Sequence, residues 1–241
     1  MPADCLLDID AIILAGGFGT RLRPIFSDRP KVLAPIDGIP FLRRYLHWLR
    51  GFGARRVILS LGHMAETVQA YVKSQEWEGM EIVFCVEASP LGTGGAVRAC
   101  LPHAQSSTVL VANGDSVTRL DLAHFVEFHR RKSARVSMVL THQPHVAASG
   151  LVETDASDVV TAFTEKPDGQ NAGDYINAGI YLMQREAIAE IPEGRSVSIE
   201  KEVFPSLLGK GFFAMKGNFP FIDIGTPESF RLASEFFASP Q

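Results

Sequence analysis

Short apolar runs recur along the first half of the chain, each followed by a stretch with amphipathic helical spacing. The runs Ala11–Ala15, Val57–Leu61, Glu81–Val86, Thr108–Ala112 and Val136–Leu140 predict strands. Between them, Pro40–Phe52, Met64–Ser74, Thr93–Leu101 and Leu120–Arg131 predict helices. Alternation of this kind predicts an α/β fold of Rossmann-like type: a mixed, mostly parallel sheet with helices on both faces. From Gly150 onward the rhythm changes. Leu151–Thr154, Val159–Thr164 and Tyr175–Leu182 read as strands with short connections, and the expectation is a small inserted sheet lobe facing the first half. Ser198–Leu208 and Pro227–Phe237 read as closing helices. No internal repeat, linker or low-complexity segment interrupts the chain, so residues 1–241 are expected to form one domain with halves of about 1–149 and 150–241.

In a sheet of this type ligands bind at the carboxyl ends of the strands, so the residues just after each run are the ones to inspect. After the first run the chain reads Ala15-Gly16-Gly17-Phe18-Gly19-Thr20, followed by Arg21, Arg23 and Lys31. Residues without side chains let backbone N–H groups converge on an anion, and the three cations add fixed positive charge. A polyphosphate is the ligand such a turn suits. Two look-alikes fail. A P-loop needs Gly-Lys-Ser/Thr at its end, and in a G-x-G-x-x-G reading the third glycine position is Leu22. Pro24 and Pro30 also argue against a long helix carrying a pyrophosphate on its N-terminus. Asp37 lies about where a ribose-binding acid would stand, but Asp37-Gly38 between Ile36 and Ile39 is a hairpin-turn signature.

Composition narrows the class. With 241 residues and 46% hydrophobic content the chain can bury one sizeable core. A net charge of -4 argues against nucleic acid as a partner. Cys5, Cys85 and Cys100 have neither metal-knuckle nor disulfide-framework spacing, and Cys85 falls in an apolar run. No apolar run approaches the roughly 18 residues of a membrane span, and no signal peptide is evident, so a soluble cytoplasmic protein without membrane contact is expected. An assembly of identical chains stays open.

Other strand ends add candidates. Asn113-Gly114-Asp115 follows the fourth run; it is compatible with an ordinary turn, but clustered phosphates call for a divalent ion, and Mg²⁺ takes one or two carboxylates plus substrate oxygens. Asp223 is a lone carboxylate in the run Phe219–Thr226 and is expected near a metal or a cation. A salt-bridged core acid or a helix cap are its other readings, the latter weakened by Thr226-Pro227-Glu228, which already supplies a cap and a first-turn proline. Glu87-Ala88-Ser89-Pro90-Leu91-Gly92-Thr93-Gly94-Gly95-Ala96 is a second glycine-rich turn. It suits either a flat base lying against the backbone or a plain strand-to-helix turn capped by Thr93. Glu87 can only accept, and guanine shows paired donors on one edge where uracil shows one, so Glu87 favours guanine. Glu165-Lys166-Pro167 holds Lys166 extended, where a point charge suits a phosphate monoester. Asn177-Ala178-Gly179 could hydrogen-bond a polyol. Taken alone, these last two motifs read equally as surface charge and a strand bulge. The seven histidines are scattered without ligand spacing, and no Ser-His-Asp or Cys-His pairing can be assembled.

In this order, Gly16-Gly17-Phe18-Gly19-Thr20-Arg21-Leu22 with Pro30-Lys31, Asn113-Gly114-Asp115, Glu165-Lys166-Pro167, Asn177-Ala178-Gly179 and Asp223-Ile224-Gly225-Thr226 resemble the sugar-1-phosphate nucleotidyltransferases, from Ala11 to about Phe237. Within them the Pro90–Ala96 turn is most similar to the guanylyltransferases acting on D-glycero-α-D-manno-heptose 1-phosphate. Mannose-1-phosphate guanylyltransferases and the uridylyltransferases of amino sugars are also similar. The resemblance implies a GT-A-like enzyme that converts a nucleoside triphosphate and a sugar 1-phosphate into an NDP-sugar and pyrophosphate, with GTP and Mg²⁺ expected. It further implies that residues 1–149 hold the nucleotide and residues 150–241 the sugar. Leu14, Ala15, Gly16, Gly17, Gly19, Thr20 and Arg21 would hold the triphosphate. Glu87, Gly92, Thr93 and Gly94 would cradle the base, with Asn113 beside the nucleotide. Arg21, Lys31 and Asp115 would act at the reacting phosphates, and Asp115 and Asp223 would hold the metal. Lys166 would take the sugar phosphate, and Gly150, Glu165 and Asn177 the sugar hydroxyls. Val32-Leu33 after Lys31 departs from relatives that carry a second proline or methionine there.

Two other classes are weighed. A silent sugar-nucleotide sensor should have lost Arg21, Lys31 or a metal carboxylate, and all are present. A dinucleotide-dependent dehydrogenase is disfavoured by the missing third glycine and the prolines.

Overall fold

The computed structural model describes residues 4–22, 25–26, 28–142, 151–164 and 175–238. Its strands are β1 (Asp10–Leu14), β2 (Pro35–Ile36), β3 (Ile39–Pro40), β4 (Arg56–Leu61), β5 (Glu81–Val86), β6 (Thr108–Asn113), β7 (Ser116–Thr118), β8 (Val136–His142), β9 (Leu151–Thr154), β10 (Val160–Thr164), β11 (Tyr175–Gln184), β12 (Phe212–Gly217) and β13 (Phe221–Asp223). The helices are α1 (Phe41–Gly51), α2 (Ala65–Lys73), α3 (Gly92–Cys100), α4 (Leu122–Arg131), α5 (Arg185–Ala189), α6 (Phe204–Ser206) and α7 (Pro227–Ala238). A π-helical turn, Ile199–Val203, leads into α6. None of the described helices is long and apolar enough to cross a membrane.

Seven strands form one sheet in the order β12-β8-β11-β6-β1-β4-β5. All of its pairings are parallel except those of β11, which runs antiparallel to both β6 and β8. Side chains of a strand alternate between faces, and both faces here are apolar. Ile13, Leu59 and Leu110 join one buried cluster with α1, α2 and α4. Ile12, Ile58 and Val111 join the opposite cluster, with Val97 and Cys100 of α3 and Phe204 and Phe212. This is the α/β architecture that the alternation predicts.

Helix α1 illustrates how sequence becomes packing. Phe41, Leu42, Tyr45, Leu46 and Leu49 are its buried residues, one stripe at helical spacing. Truncating Leu46, which is fully buried, to Ala would cost about 2–5 kcal/mol. Asp37 and Gly38, with φ of 49° and 76°, make the tight β2–β3 hairpin turn that Asp-Gly predicts. Thr226 caps α7, its hydroxyl accepting from Ser229 N–H at 3.1 Å. Cys85 and Cys100 are buried free thiols.

The second half differs from expectation in three places. Of the three strands expected in the lobe, β9 and β10 pair with each other as a separate sheet, whereas Tyr175–Gln184 enters the main sheet between β6 and β8. Phe212–Gly217, absent from the sequence reading, supplies the edge strand β12. The helix expected over Ser198–Leu208 is the π-turn plus the single turn of α6, where Pro205 lacks an N–H to continue a longer ladder.

Candidate active site

Strand register builds the site. Asn113, Leu14, Ser60 and Cys85 are paired in one row across β6, β1, β4 and β5, near their carboxyl ends. Just past this row the chain leaves the sheet, and backbone bonds from Ala15 N to Ser60 O (2.9 Å), Gly114 N to Leu14 O (2.9 Å) and Glu87 N to Leu61 O (2.8 Å) extend the ladder into the loops. A cavity of about 320 Å³ opens there. Its lining comes from Leu14, Ala15, Gly16, Gly17 and Phe18 on the first glycine turn, Lys31 and Val32, Ser60, Glu87 with Pro90, Gly92, Thr93 and Ala96, and Asn113 with Asp115.

Lys31 opens a short 3-10 turn (Lys31–Leu33) whose Val32 and Leu33 are buried, and its own side chain is 11% exposed. Its Nζ stands 2.8 Å from Asp115 Oδ2 and 3.5 Å from Asp223 Oδ1. The two carboxylates are brought together by backbone. Strand β13 pairs antiparallel with β7, placing Asp223 opposite Ser116, and Ile224 N–H donates to Asp115 O at 2.9 Å. Burial, and then the charge of Asp115, push the Asp223 carboxyl above its ordinary range. Lys31, the Gly225 N–H and Arg21 oppose that rise. Two carboxylates at one ammonium form an all-oxygen donor set of the kind a hard divalent cation accepts. Among the described residues no group of three or more His, Cys, Asp or Glu could hold a metal, so a cation here would complete its shell with water or ligand oxygens.

Glu87 is held by its own surroundings. Its Oε2 accepts from Leu91 N–H at 2.9 Å and its Oε1 from the Ser60 hydroxyl at 3.3 Å. The second glycine turn is occupied on one side by protein. Val197 O accepts from Gly94 N–H (2.8 Å) and Gly95 N–H (3.3 Å), and Val197 N–H donates to Leu91 O (2.8 Å). Gly92 has φ of +67°, and a Cβ on it would lie 2.6 Å from Val197 O. The close approach these glycines permit is therefore that of residues 195–197, and Gly94 is buried. Thr93 does not cap α3, whose N-cap is Leu91; its hydroxyl faces residues 199 and 200 instead.

Asn177 lies in β11 at a register shift between Asn177 and Tyr181. Its Oδ1 accepts from Gly179 N–H at 2.9 Å, and its Nδ2 donates to the Tyr181 hydroxyl at 2.8 Å. Arg21 is exposed on the turn Thr20–Leu22 and reaches the cluster through its charge on Asp223. Arg23, Gly150, Glu165 and Lys166 lie outside the described residues. Ser60 lines the cavity without having been named in the sequence reading, and Phe18, Val32, Pro90 and Ala96, named there within motifs, line it without having been given a role. Ser60 carried a signal: it is the lone hydroxyl in an apolar run, one residue from a strand's carboxyl end.

Residues 10–239 match the nucleotidyl transferase family, and the chain belongs to it. It is 39% identical over 225 residues to the mannose-1-phosphate guanylyltransferase of Mycobacterium tuberculosis, an alignment covering 92% of this chain and 62% of that protein. The chain thus spans less than two thirds of that relative's length. It is 34% identical over 232 residues to the D-glycero-alpha-D-manno-heptose 1-phosphate guanylyltransferase of Aneurinibacillus thermoaerophilus, covering 94% and 97% of the two chains. The crystal structure of HddC from Yersinia pseudotuberculosis superposes with a TM-score of 0.84 at 32% identity, over 95% of this chain and 99% of that one. The same protein complexed with GMP-PN gives 0.82.

Proposed function

We propose that this protein is a cytoplasmic sugar-1-phosphate guanylyltransferase, joining GTP and a sugar 1-phosphate into a GDP-sugar with release of pyrophosphate. The observation that carries the reading is Lys31 Nζ beside Asp115 and Asp223, on the wall of a cavity that the first glycine turn also lines. An oxygen of the sugar phosphate attacks the α-phosphorus of GTP, and pyrophosphate departs from the opposite side. The attacking oxygen is already anionic, so no protein nucleophile or general base is needed. Chemistry of this kind asks for alignment and charge neutralisation.

The chain's own groups would divide that work. Backbone N–H groups of Gly16, Gly17, Gly19 and Thr20, with Arg21, would hold the β- and γ-phosphates. Lys31 would place its ammonium against the reacting phosphates. Glu87, fixed by Ser60 and Leu91, would accept from the paired donors of guanine, with Gly92, Thr93 and Asn113 bounding the nucleotide. Asn177, with Gly150, Glu165 and Lys166, would receive the sugar phosphate. Asp115 and Asp223 fit Mg²⁺, which would supply charge neutralisation where the two substrates meet.

Relatives named for heptose and for mannose both support a manno-configured sugar. D-glycero-α-D-manno-heptose 1-phosphate is proposed first and mannose 1-phosphate second. Pyrophosphate release measured for four nucleoside triphosphates against a panel of sugar 1-phosphates tests the reading. Release from GTP with one of these two sugars is expected; release only from UTP or dTTP, or from none, would overturn it.

A further inference from the structure

The segment behind the second glycine turn carries a carboxylate without an assigned task. Glu200 lies in the π-turn and is half-buried. Its Oε2 accepts from the Thr93 hydroxyl at 3.0 Å and from the Ser198 hydroxyl at 3.2 Å. The Thr93 oxygen in turn accepts from Ile199 N–H at 2.9 Å, so its proton is directed at Glu200. Both hydroxyls are spent on one carboxylate oxygen, and among the described residues Oε1 accepts from none.

Two further observations put Glu200 close to the cavity. Thr93 lines the cavity that also holds Asp115, so Glu200 is one hydrogen bond away from its wall. Tyr181 is fully buried, and its hydroxyl accepts from Asn177. Burial raises the Tyr181 pKa most, and the charges of Glu200 and Asp115 both add to the rise. The tyrosine hydroxyl therefore lies within electrostatic reach of both carboxylates, with Asn177 attached. Asn177 commits its oxygen and one N–H within the β11 bulge, so its second N–H is what it brings to the sugar and another side chain must supply accepting oxygens. A carboxylate with one oxygen clamped by two hydroxyls is a preset acceptor for paired O–H groups. Structural roles alone would be met more cheaply by a neutral side chain, given the cost of desolvating a charge.

We infer that Glu200 is a specificity-determining residue which accepts hydrogen bonds from ring hydroxyls of the sugar 1-phosphate, held in position by Thr93 and Ser198. The inference rests on the guanylyltransferase reading. It also means that the turn bounding the nucleotide and the carboxylate reading the sugar are joined through one threonine hydroxyl.

The test compares wild type with Glu200→Gln and Glu200→Ala, using the sugar 1-phosphate that wild type turns over and its 2-, 3- and 4-deoxy derivatives. A hydrogen bond to a charged group is worth roughly ten- to a hundredfold. Glu200→Gln should raise KM for the sugar phosphate by about that factor, with KM for GTP within about twofold and Tm unchanged. At least one deoxy derivative should lose about tenfold or more in kcat/KM on wild type and almost nothing on the variants. Glu200→Gln, nearly isosteric, keeps the test valid if Glu200→Ala fails to fold. An unchanged sugar KM in a stable Glu200→Gln, or deoxy losses equal on wild type and variants, would overturn the inference alone. Absence of turnover by wild type with every sugar phosphate would overturn the guanylyltransferase reading, and this inference with it.

Discussion

Gly225 faces Lys31 so closely that a Cβ built on it would stand 3.0 Å from the ammonium nitrogen and 2.7 Å from Oδ1 of Asp223. The glycine is thus part of the geometry that holds cation and carboxylate together. Gly225→Ala should displace one or the other by a fraction of an ångström to an ångström. Misplacement on that scale costs about a hundredfold in rate where positioning dominates. Pyrophosphate release should fall by one to two orders of magnitude while the thermal midpoint moves by only a few degrees; unchanged turnover would show that the cluster adapts.

Asp115 is 41% exposed and rests on a loop beyond the sheet, so it contributes little to packing. Asp115→Ala is expected to remove most turnover and leave the circular-dichroism melt near that of wild type. Lys31→Ala should cost roughly 10²-fold or more, the scale of losing one preorganised electrostatic contact. A chelator should silence the wild-type enzyme, and added Mg²⁺ should restore it. Chelator-resistant turnover would remove the metal assignment from Asp115 and Asp223.

Glu87 offers a test of base choice. In Glu87→Gln the bond from Leu91 N–H can persist on the amide oxygen, so the loop should keep its shape. The group proposed to face guanine would lose its charge and part of its accepting capacity. Preference for GTP over UTP, as a ratio of kcat/KM, is expected to drop at least tenfold. If the ratio holds, another residue reads the base.

His129 predicts an acid-side loss of stability unrelated to catalysis. Its Nδ1 lies 2.8 Å from the Ser137 hydroxyl and its Nε2 3.0 Å from the Gln184 amide nitrogen, an arrangement that suits the neutral ring. Burial first, and the neighbouring Arg130 charge second, push its pKa down from 6.5 to about 4. The unfolded chain therefore binds a proton that the folded chain refuses between these values. The stabilising effect is complete above about pH 6.5 and lost as pH falls toward 4, by roughly 3 kcal/mol at most. Urea midpoints measured from pH 7.5 to 4.5 should fall more steeply in wild type than in His129→Gln.

Much of the first half was legible because its signals are local. Five apolar runs, a glycine turn and an Asp-Gly hairpin declare themselves within a few residues, and each appears within a residue or two of its expected bounds. The reversal of β11 was not legible. A strand buried on both faces is apolar whichever way it runs, so Tyr175–Gln184 reads alike in a separate lobe and in the main sheet. Edge strand β12 follows Gly209 and Gly211, which punctuate the sequence as a loop would, and it carries Lys216 and Gly217 at its end. The glycines at 92, 94 and 95 announced a close approach but not what approaches; residues 195–197 do, from a hundred positions away. Asp223 stood out as a lone carboxylate; its pairing with Asp115 came from the resemblance alone, and what the sequence did not show is the ammonium of Lys31 that the fold sets beside both.

The ladder between β7 and β13 is three residues long, and it joins residues 116–118 in mid-chain to residues 221–223. Asp223 takes up its station only when that second segment has docked. A fragment ending just before residue 221 would lack Asp223 and is expected to release no pyrophosphate.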